Sequence, residues 1–301
     1  MSLLVTGSIG LDTLETPAGR REQVIGGSAI YFAYAASFFT PVRLVGVVGE
    51  DYPKHLFNLF DGRPVDTGGI EIRKGSKTFR WHGSYVKDLN EAVTVEVDLN
   101  VLAERAPKIP AEFLDSKYIF LANTHPALQQ EMLGSLKAPK LVVADTMNLW
   151  IQTQQPELRK LLTKVHGFVL NDGEARLLTE EKNLFAAAKQ VLKMGPKFVV
   201  IKKGEHGCLM MTDRGAFVLP AFPAEKVVDP TGAGDSFAGG MMGYLATQGG
   251  SVSAATLKRG LAYGTVVASY TIADFSLDAI KQTDRDQIDD RWHEYKTAMS
   301  F

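Results

Sequence analysis

Val228-Asp229-Pro230-Thr231-Gly232-Ala233-Gly234-Asp235-Ser236-Phe237 decides how this 301-residue chain is read. A short apolar approach ends at Asp-Pro, and the residue before a proline avoids helix. Two glycines then flank one alanine, so the backbone turns tightly and can lie against a ligand without Cβ interference. From Phe237 to Ala246 the pattern is helical. The first amides of such a helix lack intrahelical acceptors and sit at the positive end of its dipole, which makes an anion site. Asp235 is out of place beside an anion unless it has a task. That task is accepting a proton from a hydroxyl while neighbouring N–H groups neutralise a transferring phosphoryl group. The plainer alternative is a tight turn with Asp235 capping the helix.

Other phosphate-binding patterns fit worse. Phe237 stands where a dinucleotide fingerprint needs its third glycine, and no Gly-Lys-Ser/Thr of a Walker loop occurs. The whole run Asp-Pro-Thr-Gly-Ala-Gly-Asp-Ser-Phe-Ala-Gly-Gly resembles the C-terminal signature of the ribokinase-like (PfkB) carbohydrate kinases. The resemblance implies that Asp235 is the catalytic base and that the Gly232, Ala233 and Gly234 backbone forms the anion hole. It also places Thr231 beside the nucleotide.

Further motifs follow in the family's order. Leu3 to Asp12 reads as a buried strand running into a glycine-rich end, and ligands collect at the carboxyl ends of such strands. Asp12 closes Gly-x-Ile-x-x-Asp; spacing alone leaves a turn-forming Asp as an equal alternative, whereas the resemblance makes it an acceptor of sugar hydroxyls. Residues 13–25 read as a hairpin turning at Pro17–Gly19. Gly26-Gly27 precede a helix over 29–39 with Ser28 as its N-cap, and the resemblance gives the glycine pair substrate contact and hinge roles. Tyr31 stands where ribokinases commonly carry a substrate-binding Asn. A ring there suggests stacking on a base or an apolar group and argues against ribose.

Between 70 and 99 the pattern changes to period-2 alternation: Ile70/Ile72, Phe79/Trp81, Val93/Val95/Val97. With 13–25 these strands form a small β lid that excludes water, and pairing two lids in a homodimer would hide an apolar face. Phe79 and Trp81 are read as packing residues, and Arg80 and His82 as solvated.

Asn171-Asp172-Gly173-Glu174 follows the strand 165–170. It is either a capping box or, by resemblance to the Asn-x-x-Glu motif, the pair that organises Mg²⁺, mainly through water. Asp145 and Asn148 are possible ligand contacts, with helix capping as the alternative. Gly204 and Gly207 lie in a loop that the family places along the nucleotide. Lys203, or Lys202, could neutralise phosphate there.

Composition agrees. Hydrophobic residues make up 45% and charged residues 22%, ordinary for a soluble globular chain with a full core. A net charge of −1 leaves no electrostatic footprint for nucleic acid or an acidic membrane. The longest apolar run, 29–39, is too short to span a bilayer. The single Cys208 excludes an intrachain disulfide, and a cytoplasmic protein is expected. The expected fold is a three-layer α/β ribokinase-like domain over 1–301, with a mostly parallel central sheet and lid segments at about 13–25 and 70–99. The implied reaction is ATP- and Mg²⁺-dependent phosphorylation of a primary hydroxyl on a sugar or sugar-like molecule. Two alternatives stand beside it: a nucleoside kinase of the same fold, and a non-catalytic binding protein on this scaffold.

Overall fold

The computed structural model describes residues 2–86, 88–90, 92–249 and 252–300. Leu3–Thr6 (β1) is fully buried and pairs in parallel with two strands, as its unbroken apolar run requires. Gly10–Thr16 (β2) and Gly19–Gly26 (β3) follow, then the helix Ser28–Ala36 (α1), the strand Val42–Gly49 (β4) and the strand Val65–Arg73 (β5). Phe79–Ser84 (β6) and Val93–Asp98 (β7) lead to Tyr118–Leu121 (β8), helix Pro126–Ser135 (α2) and Leu141–Asp145 (β9). Helices Asn148–Thr153 (α3) and Gln155–Leu162 (α4) precede Gly167–Asn171 (β10), Asp172–Thr179 (α5) and Leu184–Lys193 (α6). Phe198–Lys202 (β11), Cys208–Thr212 (β12) and Gly215–Leu219 (β13) complete the strands, and Ala233–Thr247 (α7), Ala254–Thr271 (α8) and Arg285–Ala298 (α9) end the chain.

Nine strands form one sheet in the order β13-β12-β11-β10-β9-β8-β1-β4-β5, parallel except for β12 and β13. Alternate residues of each inner strand feed opposite layers. Leu3, Val5, Tyr118, Phe120, Phe198 and Val200 join the core beneath α1, α7 and α8. Leu4, Ile119, Leu121, Val199 and Ile201 join the core beneath α2, α4, α5 and α6. That is the three-layer α/β arrangement. Because the inner strands are parallel, their carboxyl ends share one edge, and Asp145, Asn171 and Lys202 are the last residues of β9, β10 and β11.

A second sheet, β3-β2-β6-β7, forms the lid. Leu14 and Trp81 of this sheet pack on Val228 and Phe275, so the lid is seated on the approach to the Asp229–Asp235 loop. The lid begins earlier than expected, at Gly10 rather than 13, because β1 ends at Thr6 and the chain leaves the main sheet through Gly7–Ile9. Ile70 and Ile72 are not lid residues. They lie on β5, the outermost strand of the main sheet, where one covered face produces the same period-2 alternation. Phe79 packs with Val47, Val101 and Leu102, while Arg80 pairs with Asp51 at 2.8 Å and His82 approaches Glu15 at 3.3 Å.

Candidate active site

The loop from 228 to 232 is held by buried hydrogen bonds. Asp229 is fully buried; its Oδ1 accepts from the Thr231 N–H at 3.0 Å and its Oδ2 from the Ser276 N–H at 2.9 Å. Ser276 Oγ in turn donates to the Ile25 carbonyl at 2.7 Å, which ties the loop to the end of β3. Gly232 is the N-cap of α7 with φ 73°, and a Cβ there would lie 2.3 Å from the Tyr31 ring. Both conformation and packing therefore demand glycine. The Ala233 N–H donates to the Pro230 carbonyl at 3.1 Å and the Ser236 N–H to the Gly232 carbonyl at 2.8 Å. Among the described residues the N–H groups of Gly232, Gly234 and Asp235 meet no acceptor. These three amides are free to meet an anion, whereas the Ala233 N–H, expected among them, is spent inside the turn.

Asp235 stands in the first turn of α7, half-buried. Burial pushes its carboxyl up to about 6, with Lys202 acting in the opposite direction. Lys202 Nζ sits against Gly234, where a Cβ would come within 2.5 Å of it. A positive charge and unpaired amides thus converge on one spot beside the carboxylate, the pairing needed to hold a phosphoryl group next to a base. Asp145 and Glu174 flank Lys202. Burial, then Asp235, pushes the Asp145 carboxyl well up, and its Oδ1 has no hydrogen-bond partner. Burial pushes Glu174 up to about 7, opposed by Lys202 and by the Asn171 N–H.

Across the loop lies Asp12, 3% exposed, pushed up to about 8 by burial and then by Asp229 and Asp235. A Cβ on Gly26 would lie 1.9 Å from Asp12 Oδ2, so the glycine pair wraps the carboxylate closely. Gly27 is the N-cap of α1 at φ 100°. Ser28 is the first helical residue rather than the cap, and its hydroxyl meets that of Ser8 at 3.0 Å. Tyr31 is 1% exposed beneath Gly232. Its ring is packing material here, not an open stacking surface, because α1 is buried along its whole length.

The remaining expectations divide. Asn171 and Glu174 form the reciprocal cap of α5, with Asn171 N–H to Glu174 Oε2 at 2.6 Å and Glu174 N–H to Asn171 Oδ1 at 2.7 Å. That leaves Glu174 Oε1 for a ligand, so the capping and ligand roles are compatible. The Lys203 N–H donates to the Gly207 carbonyl at 2.7 Å and its charge is felt at Cys208, whereas the charge acting on Asp235 is that of Lys202. Lys202, the alternative to Lys203, is the one whose Nζ lies against Gly234, since successive residues leaving a strand point to opposite faces. Gly204 packs against the lid residue Asn90, whose Oδ1 accepts from the Glu205 N–H and whose Nδ2 donates to Glu205 Oε1, both at 3.1 Å. Gly207, at φ 78°, packs on the Leu219 carbonyl. Tyr85, just after β6, went unnoticed in the sequence. It is 9% exposed beside Thr231, within the fields of Asp229, Asp12 and Asp235.

A parallel sheet whose carboxyl edge gathers a carboxylate, a lysine and free helix amides under a lid has the parts a phosphotransferase acting on alcohols needs. The chain matches the model of the pfkB family carbohydrate kinases over residues 6–280 and belongs to that family; it is a kinase with a hydroxyl group as acceptor. The cytidine kinase of Thermococcus kodakarensis is 33% identical over 251 residues, 81% of this chain and 88% of that protein. A nucleoside kinase of Burkholderia thailandensis, solved in complex with inosine, superposes with a TM-score of 0.80 over 99% of each chain at 20% identity. A ribokinase of Cryptococcus neoformans in complex with ADP gives a TM-score of 0.78 at 21% identity, over 96% of this chain and 99% of that one. Among the described residues no helix is long and apolar enough to cross a membrane.

Proposed function

We propose that this enzyme transfers the γ-phosphoryl group of ATP to the primary hydroxyl of a nucleoside, with Asp235 as general base. One observation carries the reading: Asp235, Lys202 and the unpaired N–H groups of Gly232, Gly234 and Asp235 share one point, and Asp12 waits across the loop. The acceptor hydroxyl gives its proton to the Asp235 carboxylate as its oxygen bonds to the γ-phosphorus, and the bond from that phosphorus to the bridging oxygen breaks to release ADP. The free amides and Lys202 Nζ stabilise charge on the transferring group. Thr231 lines the same loop, and the 203–207 loop lies on the nucleotide side of the cleft.

Glu174 Oε1 and the unpartnered Asp145 Oδ1 are hard oxygen donors beside Lys202, a set that suits Mg²⁺. Glu174, Asp145 and the Asn171 amide would hold the ion directly or through water, and bound Mg²⁺ would neutralise the nucleotide phosphates.

The nucleoside is preferred over a free sugar because a relative 33% identical over most of both chains is a cytidine kinase. ATP consumption across a panel of nucleosides and sugars tests this. At least a tenfold higher kcat/KM is expected with nucleosides, and turnover confined to sugars would overturn the choice of acceptor. The reading includes a homodimer through the lid. β7 is an edge strand whose Val93, Val95 and Val97 are 52%, 54% and 40% exposed. Sedimentation should show a dimer that Val95→Lys dissociates, and a wild-type monomer at all concentrations removes this part.

A further inference from the structure

Three side-chain oxygens near the Asp229–Asp235 loop are buried without a partner: Asp12 Oδ1, Tyr31 Oη and Thr231 Oγ1. Their residues are 3%, 1% and 7% exposed. They come from β2, α1 and the loop, three segments distant in sequence. A buried polar group left without a hydrogen bond costs roughly 1–3 kcal/mol, and folded proteins keep few of them. Three in one neighbourhood point to a ligand that completes them. Tyr31, its hydroxyl facing Ser276, is in the fields of Asp12, Asp229 and Tyr85, and Tyr85, its hydroxyl facing Thr231, in those of Asp229, Asp12 and Asp235. The two tyrosines therefore approach the same carboxylates, one from α1 and one from the lid.

Tyr85 is held there by the lid itself. Its N–H donates to the Glu15 carbonyl of β2 at 2.7 Å, and its ring meets Trp81 edge-on at 6.5 Å between centroids. Any movement of the lid carries its hydroxyl with it. We propose that Tyr85 is an acceptor-binding residue, its hydroxyl joining Asp12 Oδ1 and Tyr31 Oη as the hydrogen-bond partners of the ribose hydroxyls. The chemistry matches. A carboxyl raised to about 8 by burial keeps one O–H to donate beside its acceptor lone pairs, and phenolic hydroxyls likewise both donate and accept. Burial pushes both tyrosines upward, so each keeps its proton. A vicinal diol brings two O–H donors and several lone pairs, enough for Asp12 Oδ1, Tyr31 Oη and the Tyr85 hydroxyl, which itself faces Thr231 Oγ1. Tyr31 thus acts through its hydroxyl, with its ring under Gly232. The lid reports acceptor occupancy, because the diol bonds to a residue that only the seated lid supplies.

This inference rests on the nucleoside reading above, and its test separates the two. Kinetics would compare wild type with Tyr85→Phe on the best nucleoside of the panel and on its 2′-deoxy and 3′-deoxy analogues. Removing one hydroxyl should raise acceptor KM about 3–10-fold, with ATP KM and melting midpoint unchanged. With one of the two deoxy analogues the difference between wild type and Tyr85→Phe should vanish, because the partner hydroxyl is gone. A purely structural role would raise KM equally for all three acceptors, and that result overturns the inference. So does an acceptor KM equal to wild type. If wild type phosphorylates no nucleoside, the functional reading falls and takes this inference with it; if wild type is active and only the Tyr85 pattern fails, the reading stands.

Discussion

The two sides of the cleft are built to opposite plans. On the acceptor side, Asp12, Gly26, Tyr31, Asp229 and Thr231 are buried and tightly packed, with polar atoms left waiting. On the nucleotide side, Asn171, Glu205 and His206 are exposed, and Gly204 and Gly207 serve loop packing. The acceptor side is preorganised and costs the folded protein stability before any ligand arrives. The nucleotide side is open, and its charge is concentrated in Lys202. Asp235 stands at the seam. On the proposed reading, specificity for the alcohol is stored in the fold, while amides, one lysine and the ion would supply most of the nucleotide's grip.

The seam residue should show the largest effect. Asp235→Asn keeps size and polarity but cannot take a proton, so kcat should drop by ~10²–10⁴-fold with both substrates still bound. A near-normal kcat removes Asp235 as base. With its carboxyl near 6, wild-type kcat should fall about tenfold per pH unit well below that value and level off above it.

Asp12→Asn should break the acceptor side alone. Its KM for the acceptor should rise by about 10–100-fold, while ATP KM stays put. Stability should move the other way. The carboxyl of Asp12 is raised by burial from its ordinary value to about 8, so the folded state prefers the protonated form. The stability it contributes is intact below the unfolded carboxylate range near 4 and is lost as pH rises through about 8. Replacement by Asn should therefore raise the melting midpoint at pH 8, by about 2–4 °C per kcal/mol recovered, and change it little at pH 4. Equal shifts at both pH values would show that ionisation is not what the acceptor side tolerates.

How far the sequence reached follows the same division. The Gly232–Asp235 turn, Asp12 and the Asn171/Glu174 cap were readable because each is a local pattern whose geometry is set within a few residues. The layers of the sheet were readable because buried parallel strands have no polar alternation. Ile70 and Ile72 misled because an edge strand of a large sheet and a strand of a small one share the same period. The choice between Lys202 and Lys203 turns on which face of β11 meets α7, a tertiary fact. Tyr85 carries no local signal, since only the seating of Leu14 and Trp81 on Val228 and Phe275 brings it to Asp12. Asp145 and Lys202 share one usable cue, as each is the last residue of a parallel strand.

The nucleotide side can be broken at its charge. Lys202→Met should lower kcat about 10–100-fold, because the ammonium next to Gly234 meets charge that grows during transfer. Lys203→Met should change ATP KM by no more than about threefold, as expected for a half-exposed charge that solvent screens. The reverse ranking would place the phosphates along the 203–207 loop instead of against α7.

A contact that joins the two sides gives the smallest effect and the finest test of the contrast. Asn90 of the lid loop clasps Glu205 through its amide, with Oδ1 and Nδ2 both at 3.1 Å from their partners, and Gly204 leaves room for it. The contact is exposed, so its net worth is on the order of 1 kcal/mol or less. If the lid and the nucleotide loop close as one body, Asn90→Ala should raise the KM of ATP and of the acceptor together by about 2–5-fold. ATP affinity should also stop depending on acceptor concentration, since coupling between two ligands is reciprocal. If only one KM moves, the two sides close independently, and the preorganised acceptor side does its work without news from the nucleotide.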